Sequence, residues 1–146
     1  MMAKSRGLRN CNPGNIRHGS VRYRGEVPST DDSFKCFESM AMGYRAMFVL
    51  LHTYQCRYGL KCIAEMIARY APPTENNTTA YIEAVVQISG IAADYILDTL
   101  SDESMLAVVS AMSRVENGVG ACPADVIEGW ELFRRDYSSS SSSIPM

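Results

Sequence analysis

Apolar residues recur at helical spacing through residues 39–137, and turn-forming residues divide this pattern into segments. The first segment places Tyr44, Phe48 and Leu51 on one face and meets Gly59, which can adopt the left-handed conformation that ends a helix. Further segments end at Pro72 and Pro73, at Gly90 and at Gly118, and a last one begins near Pro123. The pattern predicts helices that pack through their apolar faces in a mainly helical domain.

The N-terminal region has a different pattern. After a turn-forming run at residues 12–15, Ile16, Val21 and Tyr23 alternate with polar residues, which predicts a short β-hairpin. Residues 33–37 predict a second extended piece that completes a small sheet. The expected fold class is therefore mainly α (α+β), with a small N-terminal β-hairpin or sheet.

The length of 146 residues, with 47% hydrophobic residues, suits one domain with a genuine core. Six consecutive serines at residues 138–143 have no apolar periodicity. We expect a single domain over residues 1–137 and a flexible serine-rich tail over residues 138–146. Residues 91–100 suit either a short helix or a loop.

The net charge of −2 argues against a dedicated nucleic-acid binder. The first 25 residues nevertheless carry six basic residues and no acidic one. They are Lys4, Arg6, Arg9, Arg17, Arg22 and Arg24. This arm could meet an anionic polymer such as the cell wall or nucleic acid, or it could be a solvated strand face.

Cysteine and histidine chemistry is not indicated. The five cysteines are an odd number and contain no CxxC pair, so we expect reduced thiols rather than disulfides or a zinc site. His18 and His52 are far apart, and no serine or cysteine is placed by sequence to form a triad with either. Without a phosphate loop or a dinucleotide motif, the sequence predicts no cofactor and no metal.

Targeting signals are also missing from the pattern. The N-terminal ten residues lack an apolar core, and the longest apolar run, at residues 46–51, is too short to span a bilayer. We expect synthesis in the cytoplasm without a Sec signal and no membrane span. Action at the cell wall or in the periplasm would then need delivery by lysis, a virion or a secretion system.

Glu116 is the principal candidate for catalysis. It follows Met105 by eleven residues. A helix turns by about 100° per residue, so Glu116 points to within about 20° of the direction of Met105 and lies on the apolar stripe of the helix. Burial there and the negative end of the helix dipole both favour the protonated carboxyl. A glutamic acid protonated near neutral pH suits glycosidic bond cleavage. The alternative is a structural carboxylate that caps a neighbouring helix or pairs with an arginine.

Other polar residues offer further candidates. Glu26, at the edge of the predicted hairpin, is a rival catalytic residue or a second carboxylate that positions water, or else an exposed loop acid. Glu75 could contact sugar hydroxyls or cap the following helix. Asn12, Asn15 and Asn77 could bind N-acetyl groups, although turn formation alone explains the first two.

Several ordered motifs resemble a known family. They are RGLRNCNPGNIR at residues 6–17, GE at 25–26, Phe34, FES at 37–39, GYRA at 43–46, RYAPP at 69–73, ENNT at 75–78, YI at 81–82 and ENG at 116–118. This combination, which covers residues 6–130, is similar to phage-encoded and prophage-like proteins that are often labelled virion structural proteins and assigned to the lysozyme-like superfamily. Tyr23 stands where that family commonly has tryptophan, which keeps an aromatic platform, and Cys11 stands where it has asparagine.

A looser resemblance connects the chain with lytic transglycosylases and glucosaminidases. In those enzymes a helix ends in a catalytic glutamate and a hairpin follows, whereas here the hairpin-like segment precedes Glu116. The resemblance therefore implies a lysozyme-like fold in circularly permuted order. Thr78 and Tyr81 resemble the Thr-x-x-Tyr pair whose tyrosine lines the transglycosylase cleft.

These resemblances imply two functions. The first is cleavage of peptidoglycan glycan strands by a muramidase, lytic transglycosylase or glucosaminidase, with Glu116 as acid. Asn12, Asn15, Tyr23, Asn77, Thr78 and Tyr81 would bind the substrate. The second is an inactive lysozyme-like glycan-binding protein of a virion or secretion apparatus. A weaker third is an interaction module that places its basic arm on nucleic acid.

Overall fold

The computed structural model describes residues 4–138, and most of them are helical. The helices are α1 (Arg6–Arg9), α2 (Met40–Tyr58), α3 (Ile63–Tyr70), α4 (Thr78–Ser89), α5 (Ser104–Asn117) and α6 (Pro123–Ser138). The strands are β1 (Glu26–Val27) and β2 (Cys36–Phe37). The predicted fold class, mainly α with a small N-terminal sheet, is confirmed. The expected serine-rich tail lies, apart from Ser138, outside the described residues.

Capping residues explain where the longer helices begin and end. The Ser39 side chain accepts a hydrogen bond from the Met42 N–H at 3.2 Å, so α2 begins at residue 40. Gly59 follows α2 in the left-handed region with φ 68°, as predicted. Asp102 accepts a hydrogen bond from the Ser104 N–H at 2.8 Å, where α5 begins. Residues 91–100 form a loop with turns.

The sheet is shorter and arranged differently than predicted. β1 pairs antiparallel with β2, with Glu26 opposite Phe37, and a separate bridge joins Arg17 to Phe34. Residues 16–18 therefore pair with residues 33–35 and do not form a hairpin with residues 21–23. The apolar alternation was misleading because Val21 is 58% exposed and does not share a buried face with Ile16.

Helix α2 lies at the centre of the core. It packs most extensively on α6, and its Phe48 ring meets the Trp130 ring edge-on with centroids 5.0 Å apart. Phe133, also on α6, stacks on Phe48 at 5.9 Å, and both phenylalanines are fully buried. Helices α3, α4 and α5 pack in sequence on one another. The interior aromatic pairs fix α6 against α2 without any disulfide.

The N-terminal segment is held between the start of α2 and the end of α5. A Cβ at Gly43 would overlap the backbone carbonyl of Cys11 and the ring of Pro13, so only glycine permits this close approach. Ser5 Oγ donates to Asn117 Oδ1 at 2.6 Å, and Asn117 Nδ2 donates to the Pro13 carbonyl at 2.8 Å. These contacts bring residues 5–15 next to the last turn of α5.

Candidate active site

Glu116 lies in the last turn of α5, two residues before Gly118 ends the helix. Its side chain is half-buried and forms part of the wall of a surface cavity of about 390 Å³. Residues from the N-terminal segment and from α2, α3 and the loop after α3 complete this wall. We call this space the Glu116 cavity.

Two hydrogen-bond donors hold the Glu116 carboxylate. Asn15 Nδ2 donates to Oε1 at 2.7 Å, and the Tyr81 hydroxyl donates to Oε2 at 2.9 Å. One donor precedes Glu116 by 101 residues and the other by 35 residues. The alternative from sequence, in which Glu116 caps a helix or pairs with an arginine, does not describe this geometry.

Asn15 is placed by a tightly folded N-terminal turn. Its backbone is left-handed with φ 50°, a conformation that non-glycine residues adopt infrequently. Asn12 is fully buried and binds the Ile16 N–H and C=O and the Lys35 C=O, and Tyr70 donates to the Gly14 carbonyl. Asn12 is therefore a structural residue of the turn that presents Asn15 to Glu116.

The turn also contains an unsatisfied polar group. Asn15 Oδ1 is buried and has no hydrogen-bond partner within residues 4–138. A left-handed asparagine with a buried, unpartnered oxygen costs stability, and such costs concentrate at functional sites. Both features occur at the residue that donates to Glu116.

The electrostatics of Glu116 favour its neutral form. Burial raises the pKa of the Glu116 carboxyl above its ordinary value, while the hydrogen bonds from Asn15 and Tyr81 and the charge of Arg17 oppose that rise. Burial also raises the pKa of Tyr81, whose hydroxyl therefore keeps its proton.

Helix α4 positions Tyr81. Asn77 caps the helix by accepting from the Ala80 N–H at 3.1 Å, and Thr78 Oγ1 donates to the Ala71 carbonyl at 2.5 Å. Tyr81 then packs edge-on against Tyr70 with ring centroids 6.5 Å apart. Asn77 and Thr78, both predicted to bind substrate, are engaged in fixing the helix that carries Tyr81, and neither lines the Glu116 cavity.

A second carboxylate, Glu75, lines the same cavity. It forms an ion pair with Arg17 at 2.9 Å, and both side chains are more than half exposed. Its backbone N–H binds the Pro72 carbonyl in the turn after α3. The sequence suggested Glu75 for sugar contact or for helix capping, and Asn77 has the capping role instead. Arg17 and Tyr70 have no signal in sequence periodicity that marks them as parts of this site.

Glu26 lies elsewhere, at the start of β1. Its carboxylate receives the Lys35 ammonium at 3.0 Å and the Tyr23 N–H at 3.1 Å, with side-chain exposures of only 12% for Glu26 and 4% for Lys35. Burial opposes ionisation, but these two donors outweigh it and lower the pKa of Glu26. Glu26 lines neither this cavity nor the larger one described next, and it is ionised and paired.

Tyr23 lines a larger neighbouring cavity of about 1070 Å³. We call it the arginine groove, because Arg22, Arg24, Arg45, Arg57 and Arg69 line it. It shares Leu50, Tyr54, Arg69 and Pro72 with the Glu116 cavity, so the two spaces adjoin. Tyr23 is thus placed near the site but not in contact with Glu116.

Three of the six basic residues of the N-terminal arm make ion pairs. Arg6 makes a bidentate contact with Asp31, Arg17 pairs with Glu75, and Arg24 pairs with Asp136. Arg6 lowers the pKa of Asp31, which also accepts from the Ser33 N–H and the Asn10 amide. Half of the six basic residues therefore pair with acids from later in the chain.

One cysteine and one histidine meet outside the two cavities. Cys56 Sγ lies 3.5 Å from His52 Nε2, one turn apart on α2. Burial raises the pKa of Cys56 and lowers the pKa of His52, which is the opposite of an activated thiolate–imidazolium pair. In residues 4–138, no three metal-binding side chains cluster, and no helix has the length and hydropathy needed to cross a bilayer.

Comparison with known proteins relates this chain to a bacteriophage protein. That relative is Protein P5 of Pseudoalteromonas phage PM2, which is 41% identical over 128 residues, or 85% of this chain and 78% of Protein P5. The chain belongs to the family of Protein P5. No protein-family model matches the chain. The resemblance to phage proteins is thus confirmed, and membership of the lysozyme-like superfamily stays a prediction.

Proposed function

We propose that this chain cleaves the glycan strands of peptidoglycan and that Glu116 is the general acid. The observation that carries the proposal is a carboxyl group whose pKa is raised by burial and which still borders a surface cavity. Glycosidic bond cleavage needs such a group, because the leaving oxygen must receive a proton as its bond to C1 breaks.

Asn15 and Tyr81 assist this step through their contacts with Glu116. Both donors bind a carboxylate more strongly than a neutral carboxyl. They therefore stabilise Glu116 as it loses its proton, which is when the glycosidic bond breaks.

The group that completes the reaction is Glu75 or the substrate itself. Glu75 borders the Glu116 cavity, so it takes the place of Glu26 as the second carboxylate that directs water to C1. A hydroxyl or acetamido group of the sugar could instead attack C1, and the reaction would then need Glu116 alone. The products distinguish hydrolysis from intramolecular attack, since only attack by the sugar hydroxyl gives an anhydro end.

The proposal places the chain in the lysozyme-like superfamily with its order circularly permuted. The contact between Tyr81 and Glu116 supports this assignment, because the tyrosine of the Thr-x-x-Tyr pair lines the cleft in lytic transglycosylases. The contacts between residues 5–15 and the end of α5 also support it, since they bring the leading segment to the catalytic glutamate.

A catalytically inactive glycan-binding component of a virion is the second candidate. The relationship to a phage protein supports it, because a virion component would need no separate route to the cell wall. The Glu116 cavity would then hold a glycan without transferring a proton.

The test compares cleavage of purified peptidoglycan by the wild type, Glu116→Gln and Glu75→Gln between acid and alkaline pH. Glu128→Gln is the matched control, because Glu128 is exposed on α6 and lines neither cavity. We expect Glu116→Gln to slow muropeptide release about 10²–10⁴-fold, the usual contribution of a general acid. Mass spectrometry of the new ends identifies the bond that is cut.

The outcomes separate the candidates. Equal release by the wild type and Glu116→Gln would remove Glu116 from the reaction. Binding of glycan without release at any pH would favour the inactive virion component. A loss confined to Glu116→Gln, with full activity in Glu75→Gln, would favour attack by the sugar's own group.

A further inference from the structure

The arginine groove concentrates positive charge on a chain whose net charge is −2. Five of the eleven arginines of the chain line it, and Glu65 is the one acidic residue among its described lining residues. Neighbouring arginines repel one another because each carries a positive charge, and an anion bound between them removes this repulsion. This concentration therefore indicates a site for a negatively charged ligand.

The arginines of the groove divide into two groups. Arg24 and Arg45 share the carboxylate of Asp136 at 2.6 and 2.8 Å, and the side chain of Arg45 is only 7% exposed, so this pair fastens α2 to α6. Arg22, Arg57 and Arg69 are exposed, and none of them makes an ion pair with residues 4–138. The second group is available to a ligand.

Aromatic rings hold Arg69 in position. Its guanidinium lies 3.7 Å from the centre of the Tyr58 ring and 5.5 Å from the centre of the Tyr54 ring. Stacking on a ring face leaves the N–H edge of the guanidinium free to bind a carboxylate in bidentate geometry. Arg69 also borders the Glu116 cavity, so a ligand bound to it reaches both spaces.

We propose that the arginine groove binds the peptide stems of peptidoglycan through their carboxylates, an inference that rests on the proposed function. The glycan strand itself is neutral, because the lactyl carboxyl of its muramic acid is amide-linked to the stem. Its negative charges lie in the stem, next to the sugars. When a glycan strand lies in the Glu116 cavity, its peptide stems project to the side. The adjoining groove, which Arg57 and Arg69 line, is placed to receive them.

Binding of the free stem tetrapeptide tests the groove without any cleavage step. Isothermal titration calorimetry would compare the wild type, Arg57→Gln/Arg69→Gln and Glu116→Gln. Arg114→Gln is the control for loss of an exposed arginine outside the groove, because Arg114 is exposed and lines neither cavity. We expect the double variant to bind about tenfold more weakly or worse, since each arginine–carboxylate contact is a charge-assisted hydrogen bond. Glu116→Gln and Arg114→Gln should bind as the wild type does.

A second measurement compares cleavage of stem-bearing strands with cleavage of stem-free strands, from which an amidase has removed the stems and in which the freed lactyl carboxyl groups are then blocked as methylamides. The double variant should lower kcat/KM on stem-bearing strands about tenfold or more and on stem-free strands by a smaller factor, because Arg69 also borders the Glu116 cavity. Peptide binding without any cleavage would overturn the proposed function and leave the groove assigned. Cleavage with equal peptide binding by all variants, or preference for a single-stranded oligonucleotide over the peptide, would overturn the groove.

Discussion

The ion pair between Glu26 and Lys35 gives a prediction that separates a structural role from a catalytic one. Its side-chain exposures of 12% and 4% make it the most buried ion pair among residues 4–138. Lys35 also donates to the Val21 carbonyl at 2.9 Å, so the pair ties residues 21–26 to the segment before β2. Glu26→Gln keeps the shape of the side chain and removes its charge.

The structure sets the expected cost of this substitution. Glutamine can still accept a hydrogen bond from Lys35, but that bond no longer has the carboxylate charge. We expect the free energy of unfolding to fall by about 1.5–3 kcal/mol, the range for hydrogen bonds to charged groups. At about 2–4 °C per kcal/mol for a chain of this size, Tm should fall by about 3–12 °C. The double variant Glu26→Gln/Lys35→Met should recover part of this loss, because it leaves no buried charge unpaired.

The pH dependence provides an independent check. Because the pKa of Glu26 is lowered in the folded protein, its stabilising contribution is present above the ordinary carboxyl pKa. That contribution is lost as the pH falls through the folded pKa. The difference in Tm between the wild type and Glu26→Gln should therefore be full at pH 7 and shrink in acid.

Thermal denaturation followed by circular dichroism measures these differences, with Glu128→Gln as the control for loss of an exposed carboxylate. Cleavage of peptidoglycan by Glu26→Gln, assayed well below its Tm, should equal that of the wild type. A variant with unchanged Tm, or a stable variant that has lost cleavage, would refute the structural assignment and restore Glu26 as a catalytic candidate.

Two further predictions concern the site and its supporting turn. Tyr81→Phe removes a donor that favours the ionised form of Glu116, so it should raise the pKa of Glu116 and move the alkaline limb of the cleavage profile to higher pH. The control is Tyr95→Phe, which removes an exposed hydroxyl that donates to Asp102 and should leave the profile unchanged. An unshifted limb in Tyr81→Phe would contradict the assignment of Glu116 as the acid. Gly43→Ala should lower the free energy of unfolding by about 1–3 kcal/mol in urea denaturation, because the added methyl overlaps the Cys11 carbonyl and the Pro13 ring. Gly120→Ala meets open space and should change it by less than about 0.5 kcal/mol, and equal stabilities for the two variants would show that the N-terminal segment yields to the methyl.

Much of the helical architecture could be predicted from local signals. The limits of α2, α3 and α4 follow from Ser39, the Pro72–Pro73 pair and the glycines after the helices, since caps and breakers act within one turn of chain. The four residues of α1 are too few to show a period. The predicted piece at residues 33–37 contains β2, but β1 was missed because two-residue strands have no alternation to detect, and their partners are set by tertiary packing.

The candidate site was predictable in its centre and not in its surroundings. The position of Glu116 on the apolar stripe of a helix end predicted its burial and its raised pKa, and both agree with the structure. Its contact with Asn15 spans 101 residues, and no local pattern encodes a contact of that range. The pairing of Glu26 with Lys35 was missed because it joins two separate extended segments, and the arginine groove was missed because its members come from widely separated parts of the chain.

The loop at residues 91–100 divides the chain between the parts of the site. Asn15, Tyr81 and Glu75 precede this loop, and Glu116 follows it. The part of the chain before the loop contains the two donors to Glu116, Asn15 and Tyr81, but not Glu116. The part after the loop contains Glu116 and neither donor. A complete site therefore forms only when the segments on the two sides of this loop fold against each other, so neither part of the chain can hold the Glu116 site by itself.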